Sequence, residues 1–169
     1  MLFKGNKTTT WAWLHKGLVV ILLTLFVCCG RRPMPALTYY EFQPVDAHAW
    51  RLTDTLRFSP DTSILALSNS LSLSVRLGQQ FAYRDLWLVC EQRSDSLLQP
   101  HRDTVHLILA NARGRWHTAG VVLHEAEKAV RIVDLDKKES PEFLVYHVMR
   151  EQEIQGVYDV GVRLEPIDY

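Results

Sequence analysis

The feature that most constrains this chain is the alternation in Leu71-Ser72-Leu73-Ser74-Val75-Arg76-Leu77. Extended backbone turns successive side chains to opposite faces, so this pattern puts leucines and valine on one sheet face and serines and arginine on the other. The spacing predicts a half-buried strand. Comparable runs occupy 37–42, 50–58, 86–92, 104–111, 121–124, 130–135, 143–150 and 157–165. Between them stand Ser59-Pro60-Asp61, Gly78-Gln79-Gln80, Ser94-Asp95, Arg113-Gly114 and Ser140-Pro141, residues suited to turns. Many short strands without crossover helices cannot build a parallel sheet. The expected fold is an all-β antiparallel β-sandwich, with jelly-roll connectivity open as one way of winding it. Glu125 to Lys128 is expected to form one helical turn. The connection 149–156, charged in its centre and apolar at its ends, is expected to be a solvated loop, with a hairpin link or a partner-facing loop as the alternative.

Ahead of this region, Lys4, Lys7 and Lys16 precede an apolar run from Gly17 to Val27 that stops at Cys28-Cys29-Gly30. The run is short for a bilayer span, and its cationic flank lies on the cytoplasmic side. It reads as a lipoprotein export signal, with the mature N-terminal cysteine carrying the lipid. A small residue must precede that cysteine. Cys28 is small and Val27 is β-branched, which favours Cys29 as the lipidated residue over Cys28. An uncleaved anchor helix is the alternative, and Trp11 and Trp13 suit it equally well. The boundaries expected are a signal peptide at 1–28, a tether at 29–36 and one domain at 37–169, undivided by any Gly/Ser-rich or Pro-rich linker.

Removing the signal takes away three lysines and no acid, so the mature chain carries a net charge of about −3. That balance disfavours nucleic-acid binding, which needs a basic stripe to neutralise phosphates. Cys90 has only the lipid-site cysteines as disulfide partners, so it is expected to be a small buried apolar residue; a reactive thiol is the alternative.

The series Trp50, Asp54, Phe58, Arg76-Leu77-Gly78 and Phe81-Ala82-Tyr83-Arg84-Asp85-Leu86-Trp87-Leu88 continues through Asp103-Thr104, Leu109-Ala110-Asn111 and Gly114-Arg115-Trp116. It ends in Met149-Arg150, Gly156-Val157 and Asp159-Val160-Gly161-Val162-Arg163-Leu164-Glu165. In this order the motifs resemble the gliding-motility lipoprotein GldH family over nearly the whole mature chain. The departures are Ala82 in place of a usual proline, Asp85 in place of asparagine, and His117-Thr118-Ala119 in place of a glycine-containing turn. The resemblance implies a Bacteroidetes envelope lipoprotein associated with gliding motility and the linked type IX secretion apparatus. It implies no reaction, cofactor or catalytic residue. Gly30-Arg31-Arg32-Pro33 stands where surface lipoproteins of that group resemble one another in being acidic, which implies a domain facing the periplasm.

Read as chemistry, most of these motifs are architectural. Leu86 and Leu88 share one strand face and Trp87 takes the other, so the indole either packs or offers a platform for a sugar ring. Gly161 inside a regular strand predicts a bulge or a close backbone approach, and Asp159 is placed to cap a turn. The expected binding surface combines Trp87, Trp116, Tyr83 and Arg150, with the loop 81–84 and the connection 149–156 as its recognition loops. His117, His124, Glu125 and Glu127 match no metal-ligand spacing, and no exposed nucleophile elbow is present. Asp46, Asp54, Asp85 and Asp103 would need to converge across a cleft to cleave a glycoside. The function expected is therefore non-enzymatic: a membrane-anchored protein that binds other gliding or secretion proteins without a small-molecule ligand. The alternative is a glycan-binding lipoprotein.

Overall fold

The computed structural model describes residues 38–65, 70–95, 97–118, 120–133 and 141–166. The expected signal peptide, Cys28, Cys29 and the tether lie outside these residues. The strands are β1 (Tyr39–Pro44), β2 (Ala49–Arg51), β3 (Leu56–Phe58), β4 (Ser70–Gly78), β5 (Asp85–Arg93), β6 (His101–Ile108), β7 (Leu123–Val130), β8 (Glu142–His147), β9 (Glu153–Gln155) and β10 (Val157–Glu165). A 3-10 turn at Asp46–His48 and the single-turn helix α1 (Thr62–Leu65) interrupt them. Among the described residues no helix is long and apolar enough to cross a membrane.

Every pairing is antiparallel, and the first strand pairs with the last, β1 with β10. Moving inward, β2 pairs with β9, β3 with β8, β4 with β7 and β5 with β6. The chain is thus one long two-stranded ribbon folded back between β5 and β6. Two further pairings, β10 with β4 and β5 with β8, roll the ribbon into four-stranded sheets of order β1-β10-β4-β7 and β3-β8-β5-β6. The short β2·β9 pair lies where the ribbon passes from one sheet to the other. This rolled ribbon is a jelly roll, so the expected sandwich is found and its winding is defined.

Between the sheets, Leu73, Val75 and Leu77 of β4 are fully buried, as are Val160, Val162 and Leu164 of β10. They meet Leu86, Leu88, Phe143 and Val145 of the facing sheet in one cluster that also holds Trp50 and Phe58. Burying each such side chain contributes about 1.5–3 kcal/mol, so this layer supplies most of the driving force for folding. Cys90 is fully buried here, as its sequence context predicts, and burial pushes its thiol pKa up to about 12.

Four elements differ from expectation. Residues 125–128 are not a helical turn: they belong to β7, which pairs with β4 from Leu71↔Val130 to Gly78↔Leu123 and joins what the pattern divides into separate runs. The stretch 50–58 is two strands, because the turn between them is closed by the Asp54 amide donating to the Arg51 carbonyl (3.0 Å) and by the Trp50 indole donating to the Asp54 carbonyl (3.1 Å). The connection 149–156 is more than a loop, since it contains β9. Finally, β4 is buried on both faces. Its central place lets flanking side chains close over Ser72 and Ser74, and the outer cover includes Arg76 Nε against Glu125 (3.0 Å) with the Arg76 guanidinium 3.7 Å from the Phe42 ring centre. Gly161 makes the predicted close approach: a Cβ there would lie 2.8 Å from the Phe42 ring, whereas the bulge falls between Val157 and Asp159. Asp159 is a ladder residue opposite Pro44 and Arg76 rather than a turn cap.

Strand direction gives the sandwich two ends. The described chain enters at Tyr39 opposite Leu164, and the chain also leaves at that end. The connections β4–β5, β6–β7 and β8–β9 all lie at the other end, which carries the site residues.

Candidate interaction surface

At that loop end the structure brings together Tyr83, Trp87 and Arg150. The Val148 amide donates to the Trp87 carbonyl (3.0 Å), so the chain leaving β8 stays beside the start of β5. Together with Arg84 and Met149 these residues line an open slot of about 510 Å³. Leu86 and Leu88 on either side are fully buried, while Trp87 is 42% exposed, the alternation read from sequence.

The Trp87 ring is held from one side. Across the β5–β6 ladder it faces His106, whose imidazole stacks on the indole with centroids 3.9 Å apart and planes 5° from parallel. His106 Nε2 lies 3.0 Å from Asp85 Oδ1, fixing the imidazole's orientation, and Arg84 Nε approaches the same carboxylate at 3.7 Å. With one indole face covered, the exposed area belongs to the other face and the edge, turned to the slot. A flat apolar plate backed by a positioned imidazole and rimmed by guanidinium groups suits recognition: the plate takes apolar contact and the arginines take hydrogen-bond acceptors.

Tyr83 joins this slot to a second hollow of about 280 Å³, which shares Arg84 and is closed by Trp116. Tyr83 packs edge-on against buried Phe81, with centroids 5.4 Å apart. Trp116 is set apart from Trp87. It pairs with Ala110 in an isolated bridge, packs against the core and stacks on buried His124 at 4.2 Å with planes 2° apart. Its two neighbours thus leave it less open than Trp87. The histidine stacks, His106 above all, were missed in the sequence; nothing short of the strand register would have paired them with their tryptophans.

The carboxylates considered for hydrolysis are dispersed. Asp85 pairs with His106, and Asp103 Oδ2 lies 3.2 Å from His101 Nε2. Asp103 sits opposite Cys90, five ladder positions from Asp85, or about 17 Å along the strand. Two carboxyl groups flanking one glycosidic bond lie within about 10 Å, so this pair does not form such a site. Asp46 lies in the 3-10 turn and Asp54 in the β2–β3 turn. Among the described residues no three His, Cys, Asp or Glu side chains converge to hold a metal ion.

Comparison with known proteins gives a family match: the model described as GldH lipoprotein matches residues 37–164. No curated protein matches the chain. Among solved structures, one titled "Structure of Eiger TNF from S. frugiperda" is similar at 6% identity with a TM-score of 0.39, covering 80% of this chain and 96% of that one.

Proposed function

The chain belongs to the GldH lipoprotein family, and from that premise we propose that it is a non-enzymatic protein of the Bacteroidetes cell envelope, anchored through lipid on Cys29, that supports assembly or stability of the gliding and type IX secretion machinery. Its domain faces the periplasm. It acts by binding, and the partner contact is the loop end where Tyr83, Trp87 and Arg150 converge. That convergence carries the reading: Tyr83 from the β4–β5 connection, Trp87 from β5 and Arg150 from the β8–β9 connection meet in one slot, and tryptophan, tyrosine and arginine are the types on which protein interfaces concentrate their affinity. Anchoring raises the local concentration of the domain at the membrane, so modest contacts suffice for occupancy.

The test is site-specific photocrosslinking of the intact lipoprotein in its native envelope, with the photoreactive group at position 87 and a control at position 98 at the opposite end. Adducts with gliding or secretion components from position 87 alone are the expected result. Failure to trap any such component, with Trp87→Ala cells gliding and secreting normally, refutes the reading. The exposed indole favours a second reading, glycan binding, since an indole face stacks on a sugar ring; loss of glycan retention in Trp87→Ala would support it.

A further inference from the structure

The β6–β7 connection, residues 109–122, contains Arg113, Arg115, Trp116 and His117 and not one acidic residue, in a chain whose mature net charge is negative. Its first half is a tight turn built around Asn111. The Asn111 side-chain carbonyl accepts the amides of Arg113 (2.9 Å) and Arg115 (3.1 Å), and Gly114, at φ 75°, closes the turn by donating to the Asn111 carbonyl (2.9 Å). Both arginines are exposed, and neither forms an ion pair among the described residues. Its second half exposes two consecutive valines, Val121 at 84% and Val122 at 72%, where the Gln79 side chain holds the Val121 carbonyl (2.9 Å). Ile108, at the β6 end of the connection, is 59% exposed.

Unpaired guanidinium groups and exposed branched aliphatics in one connection are a poor solution for a loop that faces only water. They are a good one for a bilayer interface, where the apolar tips enter the acyl boundary and the arginines meet anionic headgroups. We propose that the β6–β7 connection is a second membrane contact, which docks the domain on an anionic lipid surface independently of the N-terminal lipid. An acidic protein surface would match the charge equally, but it gives no reason for two consecutive valines of the same connection to be left 84% and 72% exposed. The roughly ten residues between Cys29 and Tyr39 extend to about 33 Å, close to the length of a nine-residue strand, so the loop can reach the bilayer that carries the anchor. Docked in this way, the domain lies along the membrane.

The test uses the full lipidated chain with Val121→Cys labelled by an environment-sensitive fluorophore. Cys90 is buried and does not react, and Thr104→Cys, exposed midway along β6, is the control. Reconstituted in vesicles of equal parts phosphatidylglycerol and phosphatidylcholine, the probe at 121 brightens and shifts to the blue, whereas in phosphatidylcholine alone it does not, and the probe at 104 stays aqueous in both. Each arginine near such a surface contributes roughly fivefold, so R113Q/R115Q lowers the ratio of docked to undocked loop about 25-fold. High salt lowers it as well. An aqueous signal from position 121 on anionic vesicles overturns the proposal, and so does brightening that is indifferent to lipid charge and to both arginines. A crosslink from position 121 to an acidic envelope protein, without probe brightening on vesicles, assigns the loop to that protein instead.

Discussion

Two glycines with similar backbone angles separate the cost of conformation from the cost of space. Gly114 has φ 75° and Gly156 has φ 84°, both in the left-handed region that side chains disfavour. A Cβ on Gly114 would meet nothing within 4 Å, whereas one on Gly156 would lie 2.4 Å from the Phe81 amide nitrogen and 2.9 Å from the Gln80 carbonyl carbon. Those atoms are backbone, so no rotamer change relieves the contact. The segment cannot slide either, because Gly156 donates to the His48 carbonyl (2.8 Å) and accepts from the Gly78 amide (2.8 Å). Gly114→Ala therefore costs the conformational component alone, about 1 kcal/mol. Gly156→Ala adds an overpacking component of about 1–3 kcal/mol, for a total of roughly 3 kcal/mol. Against a typical stability of 5–15 kcal/mol the second change is severe, and it lowers Tm by about 10 °C. Urea unfolding of the two variants, followed through the fluorescence of buried Trp50, measures the difference directly. Equal losses for the two substitutions would falsify the close packing of Gly156 against the β4–β5 connection.

Other expectations follow from buried groups and from the anchor. Burial holds the His147 imidazole below its ordinary pKa of 6.5 against the opposing pull of nearby hydrogen bonds and carboxylates, so its contribution is intact above pH 6.5. As pH falls below that value the unfolded chain takes the proton more readily, and stability drops; His147→Gln removes this part of the slope, visible as a smaller loss than wild type between pH 6.5 and about pH 5 in parallel urea titrations. Glu91 is almost fully buried and lies 2.7 Å from Arg102 Nε and 2.5 Å from Arg93 Nε; the hydrogen bonds outweigh burial and hold its carboxyl below the usual range. Its contribution is present above the ordinary value of 4.5 and lost below it, so Glu91→Gln has a flatter acid limb and a neutral-pH stability lower by about 1–3 kcal/mol. The Cys90 thiol, buried and poorly ionised, reacts with a thiol reagent only after unfolding, and fast labelling of the native protein refutes its placement. Replacing Cys29 by Ser abolishes metabolic lipid labelling; labelling that persists until Cys28 is replaced assigns the anchor to Cys28.

Much of the fold was legible where one face of a strand stayed dry over several residues. The alternation at 71–77 and the Leu86, Trp87, Leu88 pattern located β4 and β5 and oriented their side chains. β7 was misread because alanine, glutamate and lysine favour helices, a weak preference that eight residues of pairing with β4 override. β9 has only three residues, too few to show a period. Gln92 gave no signal of its role either: a polar residue with no exposure, it donates to the Arg131 carbonyl (2.6 Å) and accepts from the Val133 amide (3.2 Å), pinning the chain that leaves β7. For the site, residue type singled out Tyr83, Trp87 and Arg150, but their meeting depends on β5 pairing with β8, a ladder in which Leu88 lies opposite His147, far along the chain. Such pairings leave no local trace, which is also why the winding of the ribbon stayed open.

The ribbon topology governs when this domain comes into existence. Among the described residues the last strand, β10, occupies an interior position between β1 and β4, so the first sheet has a gap until β10 arrives. Only the β5·β6 hairpin closes over a short loop; every other ribbon pair requires progressively longer loop closure, and folding dominated by such contacts is slow. A chain exported from its N-terminus therefore emerges with its anchor end first and its keystone last. The sheet that holds the Trp87 slot, β3-β8-β5-β6, contains no part of β10, so the two halves of the sandwich are completed by different stretches of the chain.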